Sequence, residues 1–268
     1  MKFTKMQGLG NDYIYFNCIN HPIEDPERLS IQLSKPHFGV GADGIVLILP
    51  SKTADFRMRM FNADGSEGKM CGNASRCIGK YVYERGLTQK TDLTLETLSG
   101  VKHLHLQVKD GIVDTVTVDM GKPIVEELGA VLTVNGISYR YTSVSMGNPH
   151  CVIFRTSIDS MDIETPGRKI EVHPNFPDRT NVEFVEIVDR THIKMRVWER
   201  GSGETLACGT GACASVTAAV VNGLCDPTVT VQLRGGQLTI QYDEEHLLMT
   251  GSAQFVFDGE IKEEQKYA

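Results

Sequence analysis

The sequence predicts an α+β protein of two pseudo-symmetric repeats, each a curled, mostly antiparallel β-sheet wrapped around one central helix, with the active site in the cleft between them. Three observations lead there. In the stretch Glu199 to Leu224, ERGSGETLACGTGACASVTAAVVNGL, Cys208 stands between a Gly/Glu-rich loop and an uncharged, proline-free segment, Thr210 to Val221, that ends at Asn222-Gly223. That is the pattern of a buried helix with a glycine stop. A single offset of 137 residues carries Cys71-Gly72 onto Cys208-Gly209, Glu67 onto Glu204, Gly86-Leu87 onto Gly223-Leu224, Met58-Arg59 onto Met195-Arg196 and Gly10-Asn11 onto Gly147-Asn148. Separated pairs sharing one offset mark an internal duplication. Around each Cys-Gly helix the chain reads as many short strands punctuated by glycine. The repeats are expected at 1–119, with the last residues, about 257–268, packing back on it, and at 120–256.

The elements follow in order. Phe3 to Gln7 and Tyr13 to Phe16 read as strands flanking the Gly8 to Asp12 loop. Asp25-Pro26-Glu27 is an N-cap followed by proline at the first helical position, so a surface helix runs to about Ser34. Gly39-Val40-Gly41-Ala42-Asp43-Gly44 matches G-x-G-x-x-G, but a strand-like Ile45 to Leu49 follows it where a dinucleotide loop needs a helix. Phe56 to Phe61 alternates apolar and basic residues, a strand that delivers the Asn62 to Gly68 loop to Cys71. Beyond Cys71, Ala74, Cys77, Ile78, Tyr81 and Val82 form one apolar helical face that stops at Gly86. Strands are expected near 92–98, 101–108 and 112–119, and Gly121-Lys122-Pro123 crosses into the second half. There, strands near 130–134 and 137–144 lead to the loop Met146 to His150. An irregular or helical excursion holding Pro174 and Pro177 precedes the strands Val182 to Ile187 and Ile193 to Trp198. After the Cys208 helix come strands near 228–233, 237–242, 246–250 and 253–257.

Composition narrows the function. The 268 residues are 41% apolar and 23% charged, ordinary for a soluble globular protein, and long enough for two repeats with a large core. The net charge is −7 and no lysine/arginine run occurs, which argues against a nucleic-acid footprint. The N-terminus lacks a continuous apolar region, and Ile45 to Leu49 is too short to span a bilayer, so a cytosolic, membrane-free protein is expected. Seven cysteines, an odd number, read as reduced thiols. No C-x-x-C occurs, so no metal site is expected, and Cys18, Cys77, Cys151, Cys213 and Cys225 read as core residues.

Cys71 and Cys208 differ from the other five. At a helix N-terminus the unpaired backbone N–H groups and the helix dipole favour negative charge, so a thiolate and an incoming carboxylate are both stabilised there. Two such thiols facing one cleft place a base on one side of a carbon and an acid on the other, the arrangement that inverts a stereocentre. An amino-acid α-hydrogen is many pK units less acidic than a thiol, and a gap of about 10 units corresponds to roughly 14 kcal/mol. The N–H groups around Gly72-Asn73 and Gly209-Thr210 must therefore carry charge that develops on the substrate carboxylate. Asn11, Asn62, Asn73, Asn148 and Asn181 are uncharged groups able to hold ammonium and carboxylate. Glu199 and Arg200 offer an adjacent anion and cation, and His150 is placed to tune a thiol. No pyridoxal-phosphate or flavin motif is found, so no cofactor is expected.

At these motifs the chain resembles the diaminopimelate epimerase family: GLGNDY at 8–13, FNADGSEGKMCGNASRC at 61–77, MGNPHC at 146–151 and ERGSGETLACGTGACA at 199–214. The resemblance spans nearly the whole chain. It implies a pyridoxal-independent two-base epimerase that interconverts LL- and meso-2,6-diaminoheptanedioate for lysine and peptidoglycan synthesis, commonly as a homodimer. It implies Cys71 and Cys208 as the base/acid pair. Asn11, Asn62, Gly72, Asn73, Asn148, Asn181, Glu199, Arg200, Gly209 and Thr210 become substrate-binding residues, with His150 and Glu199 modulating the thiols. Proline racemase, hydroxyproline epimerase and the isomerase of phenazine synthesis share the fold plan, but a second charged end on the substrate better explains Arg200 and the extra asparagines. A thiol redox or metal-binding protein would need ligand spacings that are absent. Two departures stand out. Ala74-Ser75 replaces a common Gly-Ala, and Gly44 stands where some members carry a substrate-contacting glutamine.

Overall fold

The computed structural model describes residues 1–262 and divides into two compact units, one of Met1–Val118 with residues 251–262, the other of Asp119–Thr250. Residues 263–268 of the C-terminal segment expected over 257–268 lie outside the described residues. In chain order the first unit contains β1 (Lys2–Gly8), β2 (Asn11–Asn17), α1 (Pro26–Leu33), β3 (Gly44–Leu49), β4 (Phe56–Asn62), β5 (Glu67–Gly68), α2 (Gly72–Glu84), β6 (Asp92–Thr97), β7 (Gly100–Lys109) and β8 (Ile112–Asp119). The second contains β9 (Ile124–Val134), β10 (Ile137–Ser145), β11 (Pro149–Phe154), α3 (Glu164–Glu171), β12 (Asn181–Asp189), β13 (His192–Glu199), β14 (Gly203–Thr205), α4 (Gly209–Val221), β15 (Thr228–Leu233), β16 (Gly236–Tyr242) and β17 (Leu247–Gly251). The strand expected at 253–257 is β18 (Gln254–Glu260), and it hydrogen-bonds antiparallel along β1.

The duplication read from five residue pairs extends to the hydrogen-bond register. In the first unit β18, β1 and β2 are antiparallel neighbours, β3 joins β2 in parallel, β4 is antiparallel to β3, and β6 joins β4 in parallel. In the second unit β9, β10, β11, β12, β13 and β15 repeat that order with the same senses. Tyr13 pairs with Gly44 as His150 pairs with Asn181, and Ile45 with Phe61 as Val182 with Trp198. Past the helices the correspondence slips by one residue, since Phe56 pairs with Leu95 but Ile193 with Val231. The fold class is the α+β pair of repeats that the sequence predicts, with an antiparallel majority and two parallel joins per unit.

Each central helix is enclosed. In α2 every residue from Gly72 to Val82 is buried, the predicted apolar face included. Its buried cations are paired: Lys80 donates to Glu84 Oε1 and to the Val113 carbonyl, and Arg76 to Asn73 Oδ1 and the Ser252 carbonyl. Helix α4 carries no charged residue and is buried from Gly211 to Ala219. Both helices are followed by a glycine in the left-handed region, Gly86 at φ 70° and Gly223 at φ 71°, a conformation that an L side chain resists. Helix α1 begins as read, with the Asp25 carboxylate accepting from the Arg28 N–H and Pro26 in the first turn.

Some elements escaped the pattern reading. The strand β11 begins at Pro149, a position where a missing N–H is tolerated. The short strands β5 and β14 lie inside what reads as loop, because glycine and glutamate carry little strand signal. Helix α3 lies upstream of the two prolines, and β9 begins at Ile124, several residues before its expected start. Among the described residues no helix is long and apolar enough to cross a membrane.

Candidate active site

The first unit's site is assembled at the N-terminus of α2. Cys71 is the N-cap, extended at φ −137° and ψ 120°, and its sulfur accepts from the Ala74 N–H at 3.5 Å. A thiol in this role replaces the hydroxyl or carboxylate oxygen that usually satisfies an unpaired first-turn donor. The Cys71 thiol donates to Asn11 Oδ1 at 3.5 Å, and the Asn73 amide donates to the same oxygen at 3.3 Å. Asn11 is held from the other side, its amide donating to Asp43 Oδ2 at 2.7 Å. Asp43 also accepts from the Asp12 N–H. Gly72 is the first residue of α2. Asn62 ends β4 and donates its amide to Ser66 Oγ at 3.0 Å.

The second unit repeats the construction. Cys208 is the N-cap of α4, with φ −123° and ψ 111°, and its sulfur accepts from the Gly211 N–H at 3.3 Å. The Thr210 hydroxyl lies 3.5 Å from that sulfur and accepts from the Asn148 amide at 3.3 Å. Glu199 accepts from the Thr205 hydroxyl, and its carboxyl lies near enough to the Cys208 sulfur for the two groups to shift each other's acidity. Asn181 donates to the Pro149 carbonyl at 2.9 Å and accepts from the Arg200 backbone N–H at 3.0 Å, while the Arg200 guanidinium donates to the Asp178 carbonyl. Gly209 opens α4, and His150 Nδ1 lies 2.7 Å from Glu183 Oε1.

The predicted residues therefore fall into linked sets. Cys71, Asn11 and Asn73 form one hydrogen-bonded group, and Cys208, Thr210 and Asn148 another, with Glu199 near its sulfur. Asn181 and Arg200 are joined to each other, and Asn62 is bonded to its own turn. Sequence reasoning missed Asp43, which sits inside the discarded glycine motif, and Thr205 and Glu183. Only Glu183 left a signal, as a lone acid in the apolar strand Val182 to Val185.

Opposing electrostatic effects meet at Cys208. A helix N-terminus favours thiolate, yet burial pushes the Cys208 thiol well above its ordinary value, and the nearby Glu199 and Glu183 carboxylates push it further. The Gly211 N–H and Thr210 hydroxyl act in the opposite direction but are outweighed. Burial likewise raises the Glu199 carboxyl against its Thr205 hydrogen bond, with Glu183 adding to the rise and His150 opposing it.

The two departures have structural answers. Ala74 is fully buried without strain at a position that Gly211 holds in the other unit. A β-carbon at Gly44 would lie 2.0 Å from the Phe61 carbonyl oxygen, so this backbone admits no side chain there. Asn181 holds the equivalent position in the second unit. All seven cysteines are free, and among the described residues no group of three or more His, Cys, Asp or Glu side chains is placed to hold a metal ion.

Duplicated sheets around helices that begin at a thiol define a racemase- and epimerase-type fold, and solved structures share it. A hydroxyproline epimerase from Agrobacterium vitis with bound trans-4-hydroxy-L-proline matches with a TM-score of 0.73 at 18% identity, covering 97% of this chain and 91% of its own. A probable proline racemase from Agrobacterium radiobacter gives 0.74 at 16% identity over 98% and 93%, and the Bacillus anthracis phenazine biosynthesis protein 0.74 at 19% over 98% and 99%. Within that class the chain belongs to the diaminopimelate epimerase family, which it matches over residues 3–126 and 142–256. It is 55% identical to the diaminopimelate epimerase of Parabacteroides distasonis, over 98% of both chains, and 52% identical to that of Acetivibrio thermocellus, over 97% of this chain and 98% of the other.

Proposed function

We propose that this protein is a cofactor-independent epimerase that interconverts LL-2,6-diaminoheptanedioate and the meso form by proton removal and return at one α-carbon, serving lysine and peptidoglycan synthesis. The observation that carries the reading is the pair of N-cap thiols at equivalent places in two duplicated units, within a chain of this family. In one direction the Cys71 sulfur, as thiolate, takes the α-proton and becomes a thiol. The electron pair left behind delocalises into the substrate carboxylate. Cys208 then delivers its proton to the opposite face and becomes the thiolate, and the reverse reaction runs the roles backwards.

The barrier is the acidity gap between an α-hydrogen and a thiol. It falls when backbone N–H groups at Gly72-Asn73 and Gly209-Thr210 meet the growing carboxylate charge, because preorganised dipoles need not reorient as water must. Asn11, Asn62, Asn73, Asn148, Asn181, Glu199 and Arg200 supply the remaining contacts to the substrate's ammonium and carboxylate groups. Asn11 and Asn148, each fixed by its neighbours, are oriented for that task in advance. Glu199 and His150 tune the Cys208 thiol. The free cysteines fit a reducing, cytosolic setting, and a homodimer follows from the family resemblance; size-exclusion chromatography with light scattering reads the latter directly.

Incubation with LL-diaminopimelate in deuterium oxide tests the reaction. The meso product is expected to carry one deuterium at the inverted α-carbon, whereas label-free product or no inversion would defeat the reading. Proline and hydroxyproline in the same assay are expected to remain unchanged.

A further inference from the structure

The second unit buries an acid that the reaction does not consume. Glu183 on β12 and His150 on β11 are both 0% exposed, and among the described residues their side chains hydrogen-bond to each other, His150 Nδ1 to Glu183 Oε1. Among the described residues, Glu183 Oε2 and His150 Nε2 are buried with no hydrogen-bond partner. A buried carboxylate with one oxygen unsatisfied is destabilising, so packing alone does not account for it. The first unit shows that the fold does without it. There the equivalent positions hold Val46 and Tyr13, both buried and neither acidic.

Glu183 also lies directly against the catalytic helix. A β-carbon at Gly211 would sit 2.8 Å from Glu183 Oε1 and 3.3 Å from Cys208 Sγ, so the carboxylate and the sulfur crowd one spot that only a glycine leaves open. Among the described residues, the ionisable groups that face Glu183 include His150 and Cys151 on β11, Glu199 on β13 and Cys208 on α4. On α3, Glu171 is engaged with Trp198, Gly201 and Arg179.

We propose that Glu183 is a positioning residue of this active site: it fixes the His150 ring and sets negative charge against the first turn of α4, holding the Cys208 sulfur in its proton-donating form between turnovers. A carboxylate only accepts, so its bond to Nδ1 places a ring proton there and fixes the plane of the imidazole. Removal of the Glu183 charge relieves the thiolate of one like charge in a water-poor surrounding, where such repulsion is strongest. The inference rests on the epimerase reading given above.

Full-length Glu183→Gln keeps the shape and an acceptor for His150 but removes the charge. In a Cys71→Ala background, alkylation of Cys208 by iodoacetamide, followed by peptide mass spectrometry across pH, is expected to reach half its maximal rate about one pH unit lower in Glu183→Gln. In the enzyme with both thiols, kcat/KM for LL-diaminopimelate should shift its pH profile in the same sense with KM altered less than about twofold, since a charge felt through the thiol acts on the proton transfer. Glu183→Asp, which keeps the charge, should restore the profile. An unmoved Cys208 profile in a Glu183→Gln protein with normal circular dichroism overturns the proposal, and so does a Glu183→Asp profile that follows the glutamine variant. Parent protein that alkylates as expected but does not epimerise would defeat only the functional reading.

Discussion

Cys71 and Cys208 occupy one place in one backbone plan: each is an extended N-cap whose sulfur takes an N–H three residues on, and each opens a 13-residue helix that ends before a left-handed glycine. Around Cys71 the matched positions are Tyr13, Val46 and Asn62, whereas around Cys208 they are His150, Glu183 and Glu199. Cys71 is half-buried and bonded to a neutral amide oxygen; Cys208 is buried, with the Glu199 and Glu183 carboxyls nearby. Duplication has supplied the geometry twice, and substitution has supplied the charge once. A two-base reaction needs this difference, because it must begin with one sulfur bearing a proton and the other without.

The largest expected effect comes from removing either sulfur. Cys71→Ala and Cys208→Ala should each reduce epimerisation by about 1000-fold or more, the scale of a lost general acid or base. Steady-state kinetics in both directions read it. If one variant kept near-native turnover, the two halves would not be partners in a single proton transfer.

A second contrast lies deeper in the helices. Cys77 in α2 is fully buried and hydrogen-bonded to Tyr15, and burial pushes its thiol from the ordinary 9.0 to about 11; the matched residue in α4 is Ala214. The folded state therefore holds this proton more tightly than the unfolded chain. The associated stability is complete below pH 9 and drains away as pH rises toward 11, at most about 3 kcal/mol. Urea melts at pH 8 and pH 10.5 should show a smaller alkaline loss for Cys77→Ala than for the parent. Equal losses would place the alkaline sensitivity elsewhere.

The charge difference itself should be visible as reactivity. At pH 7.5, iodoacetamide is expected to modify Cys71 at least about tenfold faster than Cys208, because alkylation requires exposed thiolate and Cys208 is buried beside carboxylates. Faster labelling of Cys208 would reverse the assignment of resting donor and acceptor.

Much of this was legible in the sequence and some was not. The shared offset exposed the duplication, and with it Cys71, Cys208 and the paired loops of Asn11 and Asn148, because a repeat preserves spacing. The asymmetry was hidden, since it depends on which side of a strand faces inward. Glu183 and Glu186 lie in one short strand, yet the first is fully buried and the second partly exposed. The burial that opposes a thiolate at Cys208 was hidden for the same reason: the helix dipole can be read from a motif, whereas desolvation by surrounding strands cannot.

The smallest effect expected concerns how each sheet meets its helix. Helix α2 presents Gly79 where α4 presents the buried Val216. A β-carbon at Gly79 would approach Leu106 Cδ2 to 2.8 Å, Leu104 Cδ2 to 3.3 Å and Val116 Cγ1 to 3.4 Å. Gly79→Ala gains about 1 kcal/mol of helix propensity but forces three buried side chains apart, and overpacking of this kind carries a penalty of about 1–3 kcal/mol. A net destabilisation of about 1 kcal/mol should appear in urea melts, with thiol reactivity at Cys71 unchanged because the substitution lies two turns from the cap. A stabilised variant would mean that the leucine pair yields freely, and that the glycine reflects no tighter seat for α2 than the valine gives α4.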